Sequence, residues 1–217
     1  MILLPIWKRE KITKICMDNL QQLQKDFNIE VMCVVSEKWA KIEAIKRGFK
    51  QVFASNEDLG EKHNIGVKEA LCYKWDYLMN LGSDDIITKK LFKLYEPYFE
   101  KNLAMFGSTK VTFIDSRSKE VKGKDYGLLI GAGRCIRRDL IEEVPAMYDS
   151  NLKCGLDLNS MSKFHKYSHT EIDNGFDTIF DIKSDTNIWK YEMLKGKSLN
   201  FDSLELETET LDKILDL

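Results

Sequence analysis

Two adjacent aspartates, Asp84 and Asp85, follow an apolar stretch that ends in Gly82 and Ser83. The stretch 77–81 is typical of a buried strand, and apolar residues return at helical spacing after the aspartates. The sequence therefore predicts a strand, a tight turn and a helix, with two carboxylates at the end of the strand. Carboxylate oxygens suit hard divalent cations, and open α/β sheets bind ligands at this edge. A simpler alternative is that Ser83, Asp84 or Asp85 caps the following helix.

Strands and helices that alternate along the chain must position these carboxylates. Apolar, β-rich stretches predict strands, and apolar residues at helical spacing predict helices. The predicted strands are 2–7, 29–35, 51–54 and 77–81, and the predicted helices are 11–26, 37–47 and 64–73. This alternation is typical of βαβ units. We therefore expect an α/β fold, a single Rossmann-like domain with a mostly parallel central sheet flanked by helices.

Beyond residue 100 the pattern is less regular. We predict one or two strands within 103–113, a solvated loop at 116–124, a helix at 138–144 and a strand at 178–182. The acidic stretch 204–217 carries scattered leucines, and we expect it to dock on the domain as a terminal amphipathic helix. Because no internal repeat or low-complexity linker divides the sequence, we expect the whole chain to form one domain.

Composition and charge narrow the function classes. The chain has 217 residues, of which 43% are hydrophobic and 31% are charged, which suffices for a core and a polar surface. The formal net charge of −2 argues against a globally basic nucleic-acid-binding protein. The five cysteines form no CxxC pair, the first seven residues lack a basic leader, and no apolar run is long enough to cross a bilayer. We therefore expect a cytoplasmic protein without a transmembrane segment.

Several motifs, in their order along the chain, resemble those of family 2 glycosyltransferases, which have a GT-A fold. The motifs are Lys62-His63-Asn64-Ile65-Gly66, the strand ending in Asp84-Asp85, Gly131-Ala132-Gly133-Arg134 followed by Arg137-Arg138, and Gly155-Leu156-Asp157. The resemblance implies a nucleotide-sugar-binding half at 1–100, and an acceptor half with the C-terminal tail at 101–217. One departure is Gly82, which stands where the family has the first aspartate of Asp-x-Asp.

The resemblance implies a metal-dependent, inverting glycosyltransferase, which is a hexosyl- or pentosyltransferase. It would move a sugar from a nucleotide-diphosphate sugar to a hydroxyl acceptor, with Mn²⁺ or Mg²⁺ as cofactor. The acceptor stays open among a glycan, a lipid carrier, a protein and a modified DNA base, although the net charge does not indicate nucleic acid. One alternative is a nucleotidyltransferase, against which the glycine-free stretch 4–9 argues. Another is a non-catalytic nucleotide-sugar-binding module, against which the retention of Asp84, Asp85 and Asp157 argues.

The motifs and the strand ends together suggest roles for individual residues. The expected metal ligands are Asp84 and Asp85, with His169 and Asp181 as later ligands, and Asp157 is the expected general base. The expected donor-binding residues are Pro5, Trp7, Arg9, Ser36, Lys62, Asn64, Ser83, Asp84 and Lys183. Structural alternatives are burial for Trp7, a helix start for Lys62 and Asn64, and a capping or solvent-facing carboxylate for Asp157.

The late polar residues of the chain supply two more expectations. His165 is a further candidate metal ligand, although a lone histidine is more often structural. The polar stretch 181–184, with Asn187-Ile188-Trp189 after it, predicts a loop that closes the site.

Overall fold

The structure, a computed structural model, describes residues 1–144, 146–184, 190–201, 204 and 206–217. The helices are α1 (Glu10–Asp26), α2 (Lys38–Lys46), α3 (Leu59–Ala70), α4 (Lys89–Glu100), α5 (Arg138–Glu143), α6 (Leu156–Lys163) and α7 (Thr208–Leu215), with a 3-10 turn at Tyr191–Met193. The strands are β1 (Ile2–Pro5), β2 (Val31–Val35), β3 (Lys50–Phe53), β4 (Tyr77–Asn80), β5 (Asp85–Ile87), β6 (Met105–Ser108), β7 (Lys110–Asp115), β8 (Val121–Asp125), β9 (Cys135–Arg137), β10 (His169–Ile172), β11 (Ile179–Lys183) and β12 (Lys197–Ser198).

Seven strands form a mainly parallel sheet in the order β10-β6-β9-β4-β1-β2-β3. Strand β1 pairs in parallel with β2 and with β4, while β9 runs antiparallel to its neighbours β4 and β6. Every residue of β1 and β2 is buried, which is the pattern of strands that are covered on both faces. The predicted α/β fold, with a mostly parallel sheet flanked by helices, is confirmed.

A second sheet of five strands, in the order β12-β8-β7-β11-β5, was not predicted. The chain enters it directly after β4, because the turn that carries Asp84 leads into β5 rather than into a helix. Strand β5 pairs antiparallel with β11, in a register that places Asp85 opposite Asp181. The next helix, α4, begins only at Lys89 with Thr88 as its N-cap residue. The alternative in which Ser83, Asp84 or Asp85 caps that helix is therefore wrong.

Other boundaries differ from those predicted. The stretch 103–113 splits into β6 and β7, as expected, but the predicted loop at 116–124 contains the start of β8. Along β8, Val121 and Gly123 are buried while the lysines between and after them are partly exposed. A lysine-rich strand with one buried face resembles a solvated loop in composition, which explains the error. Helix α3 begins at Leu59 rather than at Asn64, so Asn64 lies inside the helix and not at its start.

The C-terminal helix packs within the chain, as predicted. Helix α7 contacts α1, and its Ile214 is fully buried. The ammonium of Lys213 lies 3.5 Å from Asp18 Oδ2 across the same contact. Among the residues that the structure describes, no helix is both long enough and apolar enough to cross a membrane.

Gly66 allows α3 to approach the central sheet closely. A Cβ atom at this position would lie 2.3 Å from Val34 Cγ2 and 2.7 Å from Leu3 Cδ1. We therefore expect Gly66→Ala to lower the free energy of unfolding by about 1–3 kcal/mol, although alanine favours helices. Lys68→Ala, at an exposed position on the same helix, should change it by less than about 0.5 kcal/mol. Urea unfolding measures both, and a more stable Gly66→Ala protein would contradict this packing.

Candidate functional site

One cavity opens at the carboxyl ends of β1 and β4, where the two sheets meet, and it gathers most of the predicted residues. One side is lined by Pro5, Trp7, Arg9, Lys62, Ser83, Asp84, Asp85 and Asp181. The other side is lined by Asp157 and by a set of apolar residues from the second half of the chain. Strand ends of an open α/β sheet are where ligands bind in this fold class, so the location agrees with the expectation.

Three carboxylates lie together on the first side, and each accepts a hydrogen bond from the protein. Arg9 Nη1 donates to Asp84 Oδ2 at 2.5 Å, and the backbone N–H of Gly82 donates to Asp85 Oδ2 at 2.7 Å. Lys183 Nζ donates to Asp181 Oδ2 at 2.6 Å. The other oxygen of Asp181, Oδ1, is buried without a hydrogen-bond partner among the described residues.

Burial and mutual repulsion raise the proton affinity of this cluster. Burial, followed by the charges of Asp181 and Asp84, holds the pKa of Asp85 well above its usual value. Burial and the charge of Asp84 raise the pKa of Asp181 to about 6. Burial alone would lower the pKa of Lys183. The negative charges of Asp181 and Asp84 outweigh burial, and the pKa of Lys183 is raised. The site therefore carries more negative charge than its surroundings favour, which suits the binding of a cation.

Gly82 lies directly against these carboxylates. A Cβ atom there would come within 2.7 Å of Asp85 Oδ2 and 2.9 Å of Asp84 Oδ1. The two carboxylates thus occupy the space in which a side chain at position 82 would begin. An aspartate at this position would displace the carboxylate ends of both neighbours.

Arg9 reaches the cluster from an unusual turn after β1. Lys8 and Arg9 both have left-handed backbone angles, with φ values of 55° and 52°, which non-glycine residues rarely adopt. The turn is held by the Lys8 N–H, which donates to Glu37 Oε2 at 2.8 Å, and by the Arg9 side chain. Besides its ion pair with Asp84, Arg9 donates from Nη2 to Ser83 Oγ at 3.2 Å. Strained backbone of this kind is concentrated at functional sites.

Lys62 is fully buried at the base of the cavity and joins the loops after β1 and β2. Its ammonium donates to the carbonyl oxygen of Ile6, to Asn56 Oδ1 at 2.5 Å and to Ser36 Oγ at 3.3 Å. Burial lowers the pKa of Lys62 to about 8. These three bonds use all the N–H groups of the Lys62 ammonium. Lys62 and its partner Ser36 therefore support the loops of the predicted nucleotide site. Asn56 was not predicted from the sequence, where its position just after β3 was the available signal.

Three predicted residues lie away from the cavity. The Asn64 side chain bonds to both backbone N–H and C=O of Tyr148, at 3.1 and 2.8 Å. His169 is on β10, three strands from β4 and so roughly 14 Å away, and its imidazole lies near Glu171. His165 is exposed, with Nδ1 2.6 Å from the carbonyl oxygen of Ser162. Neither histidine joins the carboxylates, and the expectation that they are metal ligands has no support in this geometry.

Two other expectations can be placed in the same way. Lys183 does not line the cavity, but it bonds to Asp181, which does. It therefore contacts the site through Asp181. Asn187-Ile188-Trp189, the expected site-closing segment, lies outside the described residues. Within the described part of the chain, no group of three or more His, Cys, Asp or Glu side chains is spaced to hold a metal ion.

Asp157 lies in the first turn of α6, after Gly155 in a left-handed conformation, and it is exposed in the cavity. Its carboxylate rests on the backbone of Gly131, where a Cβ atom would be 1.8 Å from Asp157 Oδ1. The buried Arg134 donates from Nη1 to the backbone oxygen of Asp157 at 3.4 Å. The glycine-rich stretch therefore creates the place that this carboxylate occupies, a role that its spacing in the sequence does not show.

An apolar wall beside Asp157 was not predicted from the sequence. Tyr126, Leu128 and Leu158 line the cavity and are exposed, with 38%, 46% and 72% of their surface accessible. The sequence contained one signal for this wall. Leu158 directly follows Asp157, at the start of a helix with few other apolar residues.

His63 provides a test of the burial of the cavity floor. Its ring is buried, packs 4.9 Å from the Tyr148 ring, and burial lowers its pKa to about 4 from 6.5. Between these two pH values the unfolded chain binds a proton that the folded protein does not. His63 therefore contributes stability that is present above pH 6.5 and is lost as the pH falls toward 4.

We expect His63→Phe, which keeps a ring against Tyr148, to remove up to about 3 kcal/mol of this pH dependence. The measurement is the urea unfolding free energy of parent and variant between pH 4 and 7, compared as a difference. The carboxylates of the cavity titrate in both proteins and cancel in that difference. Replacing the exposed His165 is the control and should leave the dependence unchanged. A pH dependence identical in the His63 variant would contradict a neutral, buried imidazole.

Comparison with known proteins identifies the fold. No protein-family model and no curated protein sequence matches the chain. The S. aureus protein TarS 1-349 in complex with UDP-GlcNAc is 14% identical with a TM-score of 0.63, over 99% of this chain and 69% of that one. Another TarS 1-349 structure matches with 14% identity and a TM-score of 0.63, over 83% of this chain. In that match the chain spans 59% of the TarS chain.

Glucosyl-3-phosphoglycerate synthase from Mycobacterium tuberculosis, in complex with Mn²⁺, UDP and phosphoglyceric acid, is 14% identical with a TM-score of 0.54. That match covers 81% of this chain and 68% of the synthase. These neighbours are GT-A-type glycosyltransferases. At such low identity the similarity establishes the fold and leaves the chemistry to be argued from the site. The chain has the GT-A fold, as its sequence motifs implied.

Proposed function

We propose that this protein is a metal-dependent, inverting glycosyltransferase that moves a hexosyl or pentosyl group from a nucleotide-diphosphate sugar to a hydroxyl acceptor. The observation that carries the proposal is a single cavity with two chemically different sides. A cluster of carboxylates and cations around Asp84 lies on one side, and the exposed carboxylate of Asp157 lies on the other. Complexes of the structural neighbours with UDP, UDP-GlcNAc and Mn²⁺ support it.

The two sides follow the two halves of the chain, except that Asp181 of the second half lies with the carboxylates of the first side. We assign residues 1–100 to donor binding and residues 101–217 to acceptor binding, within one domain. Pro5 and Trp7 line the cavity after β1, where an indole can stack on a nucleotide base. We assign Arg9 and Ser83, which are hydrogen-bonded to each other, to diphosphate binding, because a guanidinium matches phosphate oxygens well.

The residues of the cluster fit a divalent cation in chemistry. Carboxylate oxygens are hard ligands, and the Oδ1 of Asp181 is a buried acceptor without a partner among the described residues. Burial, followed by the charges of Asp181 and Asp84, raises the pKa of Asp85. Asp84 would hold the ion with support from Asp85 and Asp181. Because the three carboxylates as they stand are not spaced as a complete metal site, the diphosphate would supply further oxygen ligands. Bound Mn²⁺ or Mg²⁺ would supply Lewis-acid stabilisation of the charge on the leaving diphosphate. Since Arg9 donates to Asp84 Oδ2, a metal ion on that oxygen would have to displace the ion pair.

Asp157 is the group that receives the acceptor proton. An acceptor oxygen attacks the anomeric carbon, the bond from that carbon to the diphosphate oxygen breaks, and the hydroxyl proton passes to the Asp157 carboxylate. Attack from the side opposite the diphosphate inverts the anomeric configuration. Gly131 and Arg134 are positioning residues in this scheme, because they fix the carboxylate and the backbone of Asp157.

Donor binding and turnover can be tested separately. A thermal-shift screen with UDP-, GDP-, CMP- and dTDP-sugars, each with and without Mn²⁺, should identify a donor whose stabilisation requires the metal. Slow release of the nucleotide diphosphate in the presence of Mn²⁺ then distinguishes a transferase from a binding module. Donor binding without any release, with or without added alcohols, would contradict catalysis.

Asp84→Asn should abolish metal-dependent donor binding, because it removes the carboxylate charge at the centre of the cluster. The unfolding midpoint should stay close to that of the parent, since asparagine keeps the shape and relieves repulsion with Asp85 and Asp181. Isothermal titration with UDP and Mn²⁺ measures the loss. Asp26→Asn, an exposed surface position, is the charge-matched control and should bind as the parent does. The assignment of Asp84 fails if its variant binds donor and metal with unchanged affinity.

Asp157→Asn should bind donor normally but transfer sugar about 10²–10⁴-fold more slowly, the usual effect of a positioned proton acceptor. Gly131→Ala should reproduce this pattern in part, because its Cβ would displace the same carboxylate. The comparison is between donor affinity and turnover in both variants, measured by titration and by nucleotide release with acceptor. Transfer at near-parental rates by Asp157→Asn would place the base elsewhere.

A further inference from the structure

The side of the cavity that carries Asp157 is otherwise apolar. Its lining includes Tyr126, Leu128, Ile130, Leu156, Leu158 and Met161. The remaining charged groups among the described lining residues are Arg9, Lys62, Asp84, Asp85 and Asp181, and all belong to the donor side or to its floor. An acceptor that reaches Asp157 therefore lies against hydrocarbon rather than against charge.

This wall is exposed to an unusual degree. Among the described residues, seven large hydrophobic side chains are exposed, and Tyr126, Leu128 and Leu158 are three of them. Isolated exposed leucines are ordinary, but a contiguous apolar patch beside a reactive carboxylate marks a binding surface. Leu158 is adjacent in sequence to Asp157 on α6, so any molecule held by one is held close to the other.

The distribution of charge around the wall also indicates what kind of ligand the wall binds. No lysine or arginine among the described residues lines this side, and the nearby ammonium of Lys124 lies over the Tyr126 ring, 4.2 Å from its centre. The buried Arg134 is directed at the backbone oxygen of Asp157. Among the described residues that line this side, a phosphate or carboxylate on the acceptor would meet no cation, because Lys124 and Arg134 are outside the lining. The acceptor site thus differs in chemistry from one that binds an anion such as phosphoglyceric acid, which is present in a complex of a structural neighbour.

We propose that the acceptor is an alcohol with an uncharged apolar body, an alkyl or aryl group close to the reacting hydroxyl. The apolar group packs on Leu128, Leu158 and Tyr126, and the hydroxyl lies at Asp157. This inference rests on the proposed function, since it assigns the substrate class of the same site. Of the acceptors that the sequence left open, the proposed apolar site favours those with a hydrocarbon part and disfavours polyanions such as DNA.

Three probes test it: phenyl β-D-glucoside and methyl β-D-glucoside, which have the same sugar hydroxyls, and glucose 6-phosphate as the anionic probe. Isothermal titration, with and without UDP and Mn²⁺, measures their binding to the full chain. We expect the phenyl glucoside to bind roughly tenfold more tightly than the methyl glucoside, because it buries a ring on the wall, and the phosphate to bind no better than the methyl compound.

Leu158→Asp should abolish the preference for the phenyl group, and Leu158→Met should retain it. Ile45→Asp, at an exposed apolar position on α2 outside the cavity, is the matched control and should keep the preference. Because Leu158 is largely exposed, its replacement leaves folding intact, which the unfolding midpoint checks.

Three results would overturn the proposal. The first is equal binding of the phenyl and methyl glucosides, or preference for the phosphate. The second is a phenyl preference that survives Leu158→Asp. The third is self-association that Leu158→Asp abolishes, which would show that a second copy of the chain covers the wall. These binding measurements do not require sugar transfer. They are therefore independent of the nucleotide-release assay, and only that assay reveals a failure of the proposed function.

Discussion

Three carboxylates held together at the junction of the two sheets constrain the rest of the site. Charges buried at close range are unfavourable unless donors and cations compensate them. Here the antiparallel pairing of β5 with β11 fixes Asp85 opposite Asp181, so the repulsion cannot be relieved by moving one of them. The Arg9 guanidinium, the Lys183 ammonium and the Gly82 N–H compensate it. The strained turn at Lys8 and Arg9 is explained by this demand, because it brings a cation to Asp84.

The same constraint accounts for the departure at position 82. With Asp84 and Asp85 packed against Gly82, a side chain at position 82 would have to displace their carboxylate ends. A third carboxylate is nevertheless present, supplied by Asp181 from the neighbouring strand. We interpret this as a change in which element contributes the third acidic group, rather than as a loss of acidity at the site. The loss of one motif residue is thus a weak argument against function when a strand that is distant in sequence contributes the same charge.

Local patterns predicted the part of the fold that depends on them. The apolar runs of β1, β2 and β4 identified a parallel sheet, and the polar residues after β4 line the cavity that the structure shows. The second sheet depends on pairing between β5 and β11, about ninety residues apart in the chain, which no local periodicity records. His169 was chosen for its residue type, and only the strand order shows that it lies far from Asp84. Asp157 was found by resemblance, whereas its dependence on Gly131 appears only in three dimensions.

The two sides of the cavity together suggest why a transferase would be built in this way. Departure of a diphosphate needs cations and hydrogen-bond donors, and these are concentrated around Asp84. Water competes with the intended acceptor for the same anomeric carbon, so the acceptor side benefits from surfaces that bind hydrocarbon in preference to water. An apolar group on Leu128 and Leu158 would exclude water from Asp157 and strengthen the hydrogen bond between that carboxylate and the acceptor hydroxyl. Specificity for the acceptor and protection of the donor from hydrolysis then have the same physical origin.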